Sequence, residues 1–204
     1  MPRAYSYIVI AQPANLAVSV ADVRLWLKLP DTPPADAELE SLIRSATRTA
    51  ELSTKRTFIN TTFRTYRDFF ECCIKLRRSK LQTIQKYQYS VDDSFIDVPT
   101  DLYYQTDEND FSKIILKTDK DYPDDIDEKL QSILIEFVAG FGADDSSIPY
   151  DLRHALLMHI AAMWENRGDC DQNLSDDFLE KSLPAAARLI YTQNRLMDLH
   201  DGCI

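Results

Sequence analysis

The sequence predicts an α+β fold: a helical domain of two N-terminal helices and one long helix, packed with a small, mainly antiparallel sheet, with an extended N-terminal arm and a C-terminal helical arm. Three observations carry this prediction. Apolar residues recur at helical spacing towards both ends of the chain, an aromatic and Thr-rich pattern of period two fills the middle, and one stretch, Gln131 to Asp169, joins the two regimes. In that stretch Ile133, Ile135 and Phe137 alternate with Ser132, Leu134 and Glu136 until Gly140 and Gly142 end the run, as expected of a buried strand. Pro149 suits the first turn of a helix, where its missing N–H costs no intrahelical bond. Leu152, Leu156, Ile160 and Met163 then share one stripe with Ala155, His159 and Arg167 on or beside it, so the face of this long helix is expected to pack on a sheet.

Taken in order, the chain opens with an expected arm over residues 1–18, whose β-prone piece Tyr5 to Ile10 is of a kind that pairs with a neighbour. The core domain is expected over 19–168. Ser19 and Asp22 form a loose capping box for a short helix with Val23, Trp26 and Leu27 inward, stopping near Pro30. After the Pro- and Asp-rich stretch to Asp36, a longer helix carries Leu39, Leu42, Ile43, Ala46 and Ala50 at helical spacing and ends near Thr54 to Thr57. The run TTFRTYRDFF from Thr61 changes to strand character. CCIKLRRSKL and QTIQKYQYS add strands, and Val91-Asp92-Asp93-Ser94 reads as a hairpin loop. Leu102 to Gln105 and Lys113 to Lys117 bring the expected total to about five or six, and the acidic run Asp119 to Glu128 reads as a solvated loop. The C-terminal arm, 169–204, holds a helix opened by Pro184.

Composition narrows the function classes. The 204 residues include 23 Lys and Arg against 33 Asp and Glu, a net charge of −10, which disfavours phosphate backbones and anionic lipid as bulk partners. No apolar run approaches the ~20 residues needed to cross a bilayer, no signal-peptide layout is visible, and no membrane partner is expected. Cys72, Cys73, Cys170 and Cys203 lack CxxC spacing and read as reduced thiols.

Glycine-rich phosphate loops, GxSxG and HExxH are absent, so no catalytic residue, cofactor or metal is assigned. His154 and His159 are five residues apart, about 140° around a helix, and so do not share a face as metal ligands would. His200 sits among Asp198, Asp201 and Cys203, which suggests adventitious binding only. The acidic run lacks the glycine turn of an EF-hand. Lys75, Arg77, Arg78 and Lys80, followed by Tyr87 and Tyr89, could meet phosphate, but salt bridges to an acidic neighbouring subunit fit the net charge better. Trp26 and Trp164 read as core residues.

The strand ending in Ala139-Gly140-Phe141-Gly142, the acidic loop, the Pro-opened helix and its terminal Trp164-Glu165-Asn166-Arg167 resemble the head-tail connector (adaptor, or head completion) proteins of tailed bacteriophages. The similarity extends in order through SVADVRLWLKLP, AELESLIRSATRTAELSTKRTF, TTFRTYRDFF, LRRSKLQTIQKYQY, FIDVPTDLYYQT, FSKIILK and LPAAARLIYTQNRL. Two departures stand out: Arg78, Ser79 and Lys80 replace prolines common around the middle strands, and the insert Asp124 to Glu128 is long.

The resemblance implies a virion protein made in the host cytoplasm: a homo-oligomeric ring, of twelve subunits by analogy, beneath the portal protein. Such a ring extends the DNA channel, touches DNA only as non-specific passage, and joins a downstream connector, stopper or tail-terminator protein. It implies portal docking through the terminal helix, with Leu183, Pro184, Ala187, Ile190, Tyr191, Asn194 and Leu196 as candidates. Lys75, Arg77, Arg78, Lys80 and Arg167 are candidate subunit-interface residues. The alternative from another class is a small acidic, non-enzymatic module that docks through its C-terminal helix. An enzyme is the least favoured class, because no acid, base and nucleophile converge.

Overall fold

The computed structural model describes residues 6–30, 36–78, 80–107, 112–166 and 183–196, and among them shows four α-helices and eight strands, every strand pair antiparallel. The chain divides into two units: one from residues up to Pro13 and Asn60–Phe141, the other from Ala14–Ile59 and Gly142–Leu196.

The first unit is built on two sheets. Strands β1 (Tyr7–Ala11), β2 (Thr61–Arg67), β3 (Cys73–Leu76), β4 (Leu81–Val91), β5 (Ser94–Asp97), β6 (Tyr103–Thr106), β7 (Ser112–Leu116) and β8 (Ile133–Ala139) form a five-stranded sheet in the order β1-β2-β8-β4-β5 and a three-stranded one in the order β3-β7-β6. The organising strand lies at the centre. Its register sets Phe137 opposite Phe63, and Ile135 and Ile133 opposite Tyr87 and Tyr89. Ile74, Leu76 and Ile114 from the smaller sheet complete the same buried cluster. Period-two alternation puts all of these on one face of their strands, which is why the sequence pattern was legible as β-structure.

Several local expectations are revised here. Among the described residues strands are eight rather than five or six, because Ser94–Asp97 and Tyr7–Ala11 both join the larger sheet. β1 pairs with β2 of its own chain, with a bulge between Val9 and Ala11. The acidic run is more than a solvated loop: Phe70 stacks on Tyr122 at 4.2 Å, and Tyr122 and Ile126 pack on the core. Within the same run Asp127 secures the β4–β5 hairpin. It accepts from the Ser90 hydroxyl at 2.6 Å and from the Asp92 and Asp93 backbone N–H groups at 3.1 Å each. Those two residues have φ of 48° and 64°, as a two-residue type I′ turn requires. Hydrogen bonds from Ser90 and Lys129 hold the Asp127 carboxyl down at about 2. The turn should therefore keep its clamp down to strongly acid conditions and lose it as pH falls through that value.

Gly140 closes β8 with φ of 154°, and a Cβ there would lie 2.6 Å from the Asn60 backbone nitrogen. Gly140→Ala is expected to cost at least about 1–3 kcal/mol, because neither the dihedral nor the neighbouring backbone can yield freely. Chemical denaturation would measure it, and an unchanged midpoint would show that the strand end relaxes.

The second unit is helical. In α1 (Val20–Leu27) the Ser19 hydroxyl accepts from the Asp22 N–H at 3.0 Å, and Lys28 ends the helix in the left-handed region. α2 (Asp36–Thr54) buries Leu39, Ile43, Ala46 and Ala50. A 3-10 turn over Asp145–Ser147 leads into α3 (Tyr150–Glu165), and α4 (Ala185–Gln193) follows Pro184. The sequence pattern predicts a sheet beneath the α3 stripe. The structure instead packs α3 against α1, α2 and α4, with Leu152, Ala155, Leu156, His159 and Ile160 buried. A helical stripe specifies a flat apolar partner without specifying its type, and helices supply one equally well.

Candidate functional site

The residues singled out from the sequence fall in two places. On α4, Ala187 and Tyr191 are buried, as is Leu196 just beyond the helix, while Leu183, Pro184, Ile190 and Asn194 are half-buried. Backbone and side-chain hydrogen bonds together fasten the segment down. Leu196 N–H donates to the Thr54 carbonyl at 2.9 Å, Arg56 Nε donates to the Asn194 carbonyl at 2.6 Å, and Asn194 Nδ2 donates to Asp151 at 2.8 Å. The outward side of α4 carries Arg188 and Leu189, the latter 58% exposed.

The basic group lies at and beyond the end of β3. Lys75 is on the strand and half-buried, while Arg77 and Lys80 are exposed. The Arg78 guanidinium sits over the Phe63 and Tyr7 rings, 5.3 and 5.6 Å from their centres, and the Lys80 ammonium lies 5.8 Å from the Phe141 ring. These stems and charges are thus partly engaged with aromatic faces of their own unit. Arg167 lies outside the described residues.

Two features escaped sequence reasoning. Glu136, on the non-core face of β8, is buried between Arg64 of β2 and Lys86 of β4, its register partners on either side. Arg64 Nε donates to it at 2.7 Å and the Lys86 ammonium lies 3.1 Å away. Burial pushes its carboxyl up, but the hydrogen bonds from Arg64 and Lys86 outweigh that and hold it below the ordinary glutamate value. Glu136→Ala leaves two cations facing each other across the sheet and should cost about 1–3 kcal/mol, read from the urea midpoint. The second feature is an open groove of 610 Å³ between α1 and α3, lined by Leu25, Trp26, Tyr150, His154 and Leu157. Trp26 was expected in the core. It stands 42% exposed at this groove, edge-on to His154 with ring centres 5.2 Å apart, because α1 is too short to turn more than Val23 fully inward.

His154 is exposed and His159 buried, and among the described residues no group of three or more His, Cys, Asp or Glu is placed to hold a metal ion. Likewise no described helix is long and apolar enough to cross a membrane.

Among the described residues, an antiparallel two-sheet unit and a unit with four helices define the class, and comparison gives it a place among known folds. Chains from the neck of an empty gene transfer agent particle, solved with C6 symmetry, share the fold with a TM-score of 0.74 and 20% identity, over 97% of this chain and 98% of that one. The virion of the native gene transfer agent particle gives 0.74 and 22% identity, over 96% and 98%. The neck of the native particle with C12 symmetry gives 0.73 and 19%, over 97% and 98%. No protein-family model and no curated protein matches the sequence.

Proposed function

We propose that this chain is a structural head-tail connector, or adaptor, of a tailed phage-like particle. It forms a ring beneath the portal that extends the DNA channel and joins the capsid to the next connector or tail protein. The observation that carries this reading is the end-to-end similarity to chains from the neck of a gene transfer agent particle, which leaves almost no part of either chain unmatched. Acidic character supports it, since a channel wall of net negative subunits lets DNA slide without neutralising its phosphates. The module alternative needs the apolar side of the terminal helix to be available to a partner, and the burial of Ala187 and Tyr191 weighs against it.

Portal docking is assigned to the terminal segment, with Leu183, Pro184 and Ile190 at its margins and Leu189 on the outward face of α4. Ala187, Tyr191 and Leu196 hold that segment in place. Leu189→Asp is expected to weaken portal binding at least about tenfold while changing stability by no more than about 0.5 kcal/mol. Imaging and mass measurement of the chain mixed with the portal ring of the same genome test the whole reading. A coaxial ring on the portal is the expected result, and two proteins that stay separate across salt and concentration would overturn it.

A further inference from the structure

We infer that the two edge strands of the five-stranded sheet form one subunit contact: β5 of one copy pairs with β1 of the next, so that the sheet runs on from copy to copy. The inference rests on the ring reading above and names the backbone that would join the ring.

Edge strands in water are ordinarily kept from pairing by lysine, proline or inward-pointing charge, because their outer N–H and C=O groups are an open template. β1 has none of these. It reads YIVIA, and Ile8, Val9 and Ile10 are 47%, 38% and 44% exposed, so that both faces of the strand present apolar surface. At the opposite edge β5 reads SFID, with Phe95 42% and Ile96 41% exposed, while Asp97 accepts from Gln88 Nε2 of its own sheet at 2.9 Å. Among the described residues, no strand or hydrogen bond covers the outer side of either. The bulge in β1 falls between Val9 and Ala11 and leaves the pairing of Tyr7, Ile8 and Val9 regular. The edges of the smaller sheet are unlike these: no residue of β3 is exposed, and β6 ends in polar Gln105 and Thr106.

Direction and face select a second copy as the occupant. Every pairing from β1 across to β5 is antiparallel, and the sheet order β1-β2-β8-β4-β5 therefore makes β1 and β5 run the same way. Val9 lies opposite Phe63 and Ile96 opposite Tyr89, both on the core face, whereas Ile8 opposite Arg64 and Phe95 opposite Ser90 lie on the other. When copies of this sheet are set in line without turning it over, β5 meets β1 in parallel, and one register puts Phe95 beside Ile8 and Ile96 beside Val9. Each of these side chains then has an apolar neighbour on its own face, and the outer backbone groups of both strands gain partners. Pairing of like edges would be two-fold. Pairing of unlike edges is heterologous and leaves one edge of each kind open at every step until the series closes as a ring.

Crosslinking tests this on the full chain with its native cysteines replaced by serine. Val9→Cys, Ile96→Cys and the double variant are mildly oxidised, with and without the portal ring of the same genome, after circular dichroism and melting confirm that each folds. The double variant should give a ladder of covalent oligomers ending at ring size, since directly paired strand neighbours lie within disulfide reach. Each single variant should stay monomeric on a denaturing gel, and a mixture of the two should stop at dimers. In the otherwise wild-type chain, Ile8→Lys and Phe95→Lys should each raise the concentration needed for ring assembly at least about tenfold. Hydrogen exchange in β1 should be at least about tenfold slower in the ring than in the dilute chain. Covalent dimers from Val9→Cys alone would mean that like edges meet, and protection of β1 already equal in the dilute chain would mean that its own chain covers the edge; either overturns the inference. If wild-type rings form while the double variant gives no ladder and the lysine variants assemble normally, the contact lies elsewhere and the ring reading stands. Absence of wild-type rings both free and on the portal would overturn the contact and the ring together.

Discussion

Deletion of residues 183–196 is expected to unfold the helical unit, and Tyr191→Ala alone should cost about 3–5 kcal/mol, the range for emptying a buried aromatic site. Tyr191 is 1% exposed and Ala187 fully buried. Their helix packs against both α3 and α2, with the Tyr191 ring edge-on to His159 of α3. The deletion also takes away the carbonyl that accepts from the guanidinium of buried Arg56, and the Leu196 N–H that caps the Thr54 carbonyl at the end of α2. Both losses fall on groups already withdrawn from water, where a missing partner is costly. Urea denaturation of Tyr191→Ala beside Leu189→Asp makes the comparison. A large shift for the first and almost none for the second is expected. If Tyr191→Ala melts with the wild type, α4 is an appended arm rather than part of the core. The result bears on function, since a truncated chain that fails to bind portal could simply be unfolded, while Leu189→Asp keeps the fold and alters only the outward face.

The parts of this architecture that were legible in the sequence are those set by local pattern. Alternation located the central strand, because Ile133, Ile135 and Phe137 must share a face. Pro149 and Pro184 marked helix starts within a residue, and Asp92-Asp93 marked the tight turn. Pairing across the chain was not legible. Glu136 sits in an apolar run and finds Arg64 and Lys86 only because register brings residues 72 and 50 positions away to its sides. Nor does a stripe name what covers it: α3 met helices where a sheet was expected, and the apolar side of α4, read as a docking surface, is in large part the lid of its own unit. The whole-length likeness to chains of gene transfer agent neck and virion structures at 19–22% identity fits the same division. Order and period of elements persist where individual contacts do not, so the family resemblance was visible in the succession of elements and faint in each one.

The helical unit is expected to lose stability as pH falls from about 6.5 to 4, through His159. This imidazole is 4% exposed on α3, its Nδ1 has no hydrogen-bond partner, and the Tyr191 ring stands edge-on 6.2 Å away with its own hydroxyl unpartnered. Burial alone pushes its pKa down to about 4, since nothing nearby compensates the charged form. The unfolded chain therefore takes up a proton near 6.5 that the folded chain refuses until about 4. Stability is full above the unfolded value and declines as pH falls through that window. A displacement of this size corresponds to roughly 3 kcal/mol across the window. His159→Leu removes the proton-linked term and keeps the apolar volume, so wild type and variant should diverge in acid sensitivity between pH 6.5 and 5, before Asp127 and the other carboxylates begin to titrate. Parallel urea melts at several pH values decide it; equal slopes for the two proteins would mean that water or a local opening already reaches the ring. Because His159 touches Tyr191, the acid-induced opening should begin at the α3–α4 seam, and hydrogen exchange in α4 should accelerate at a higher pH than exchange in the central strand β8.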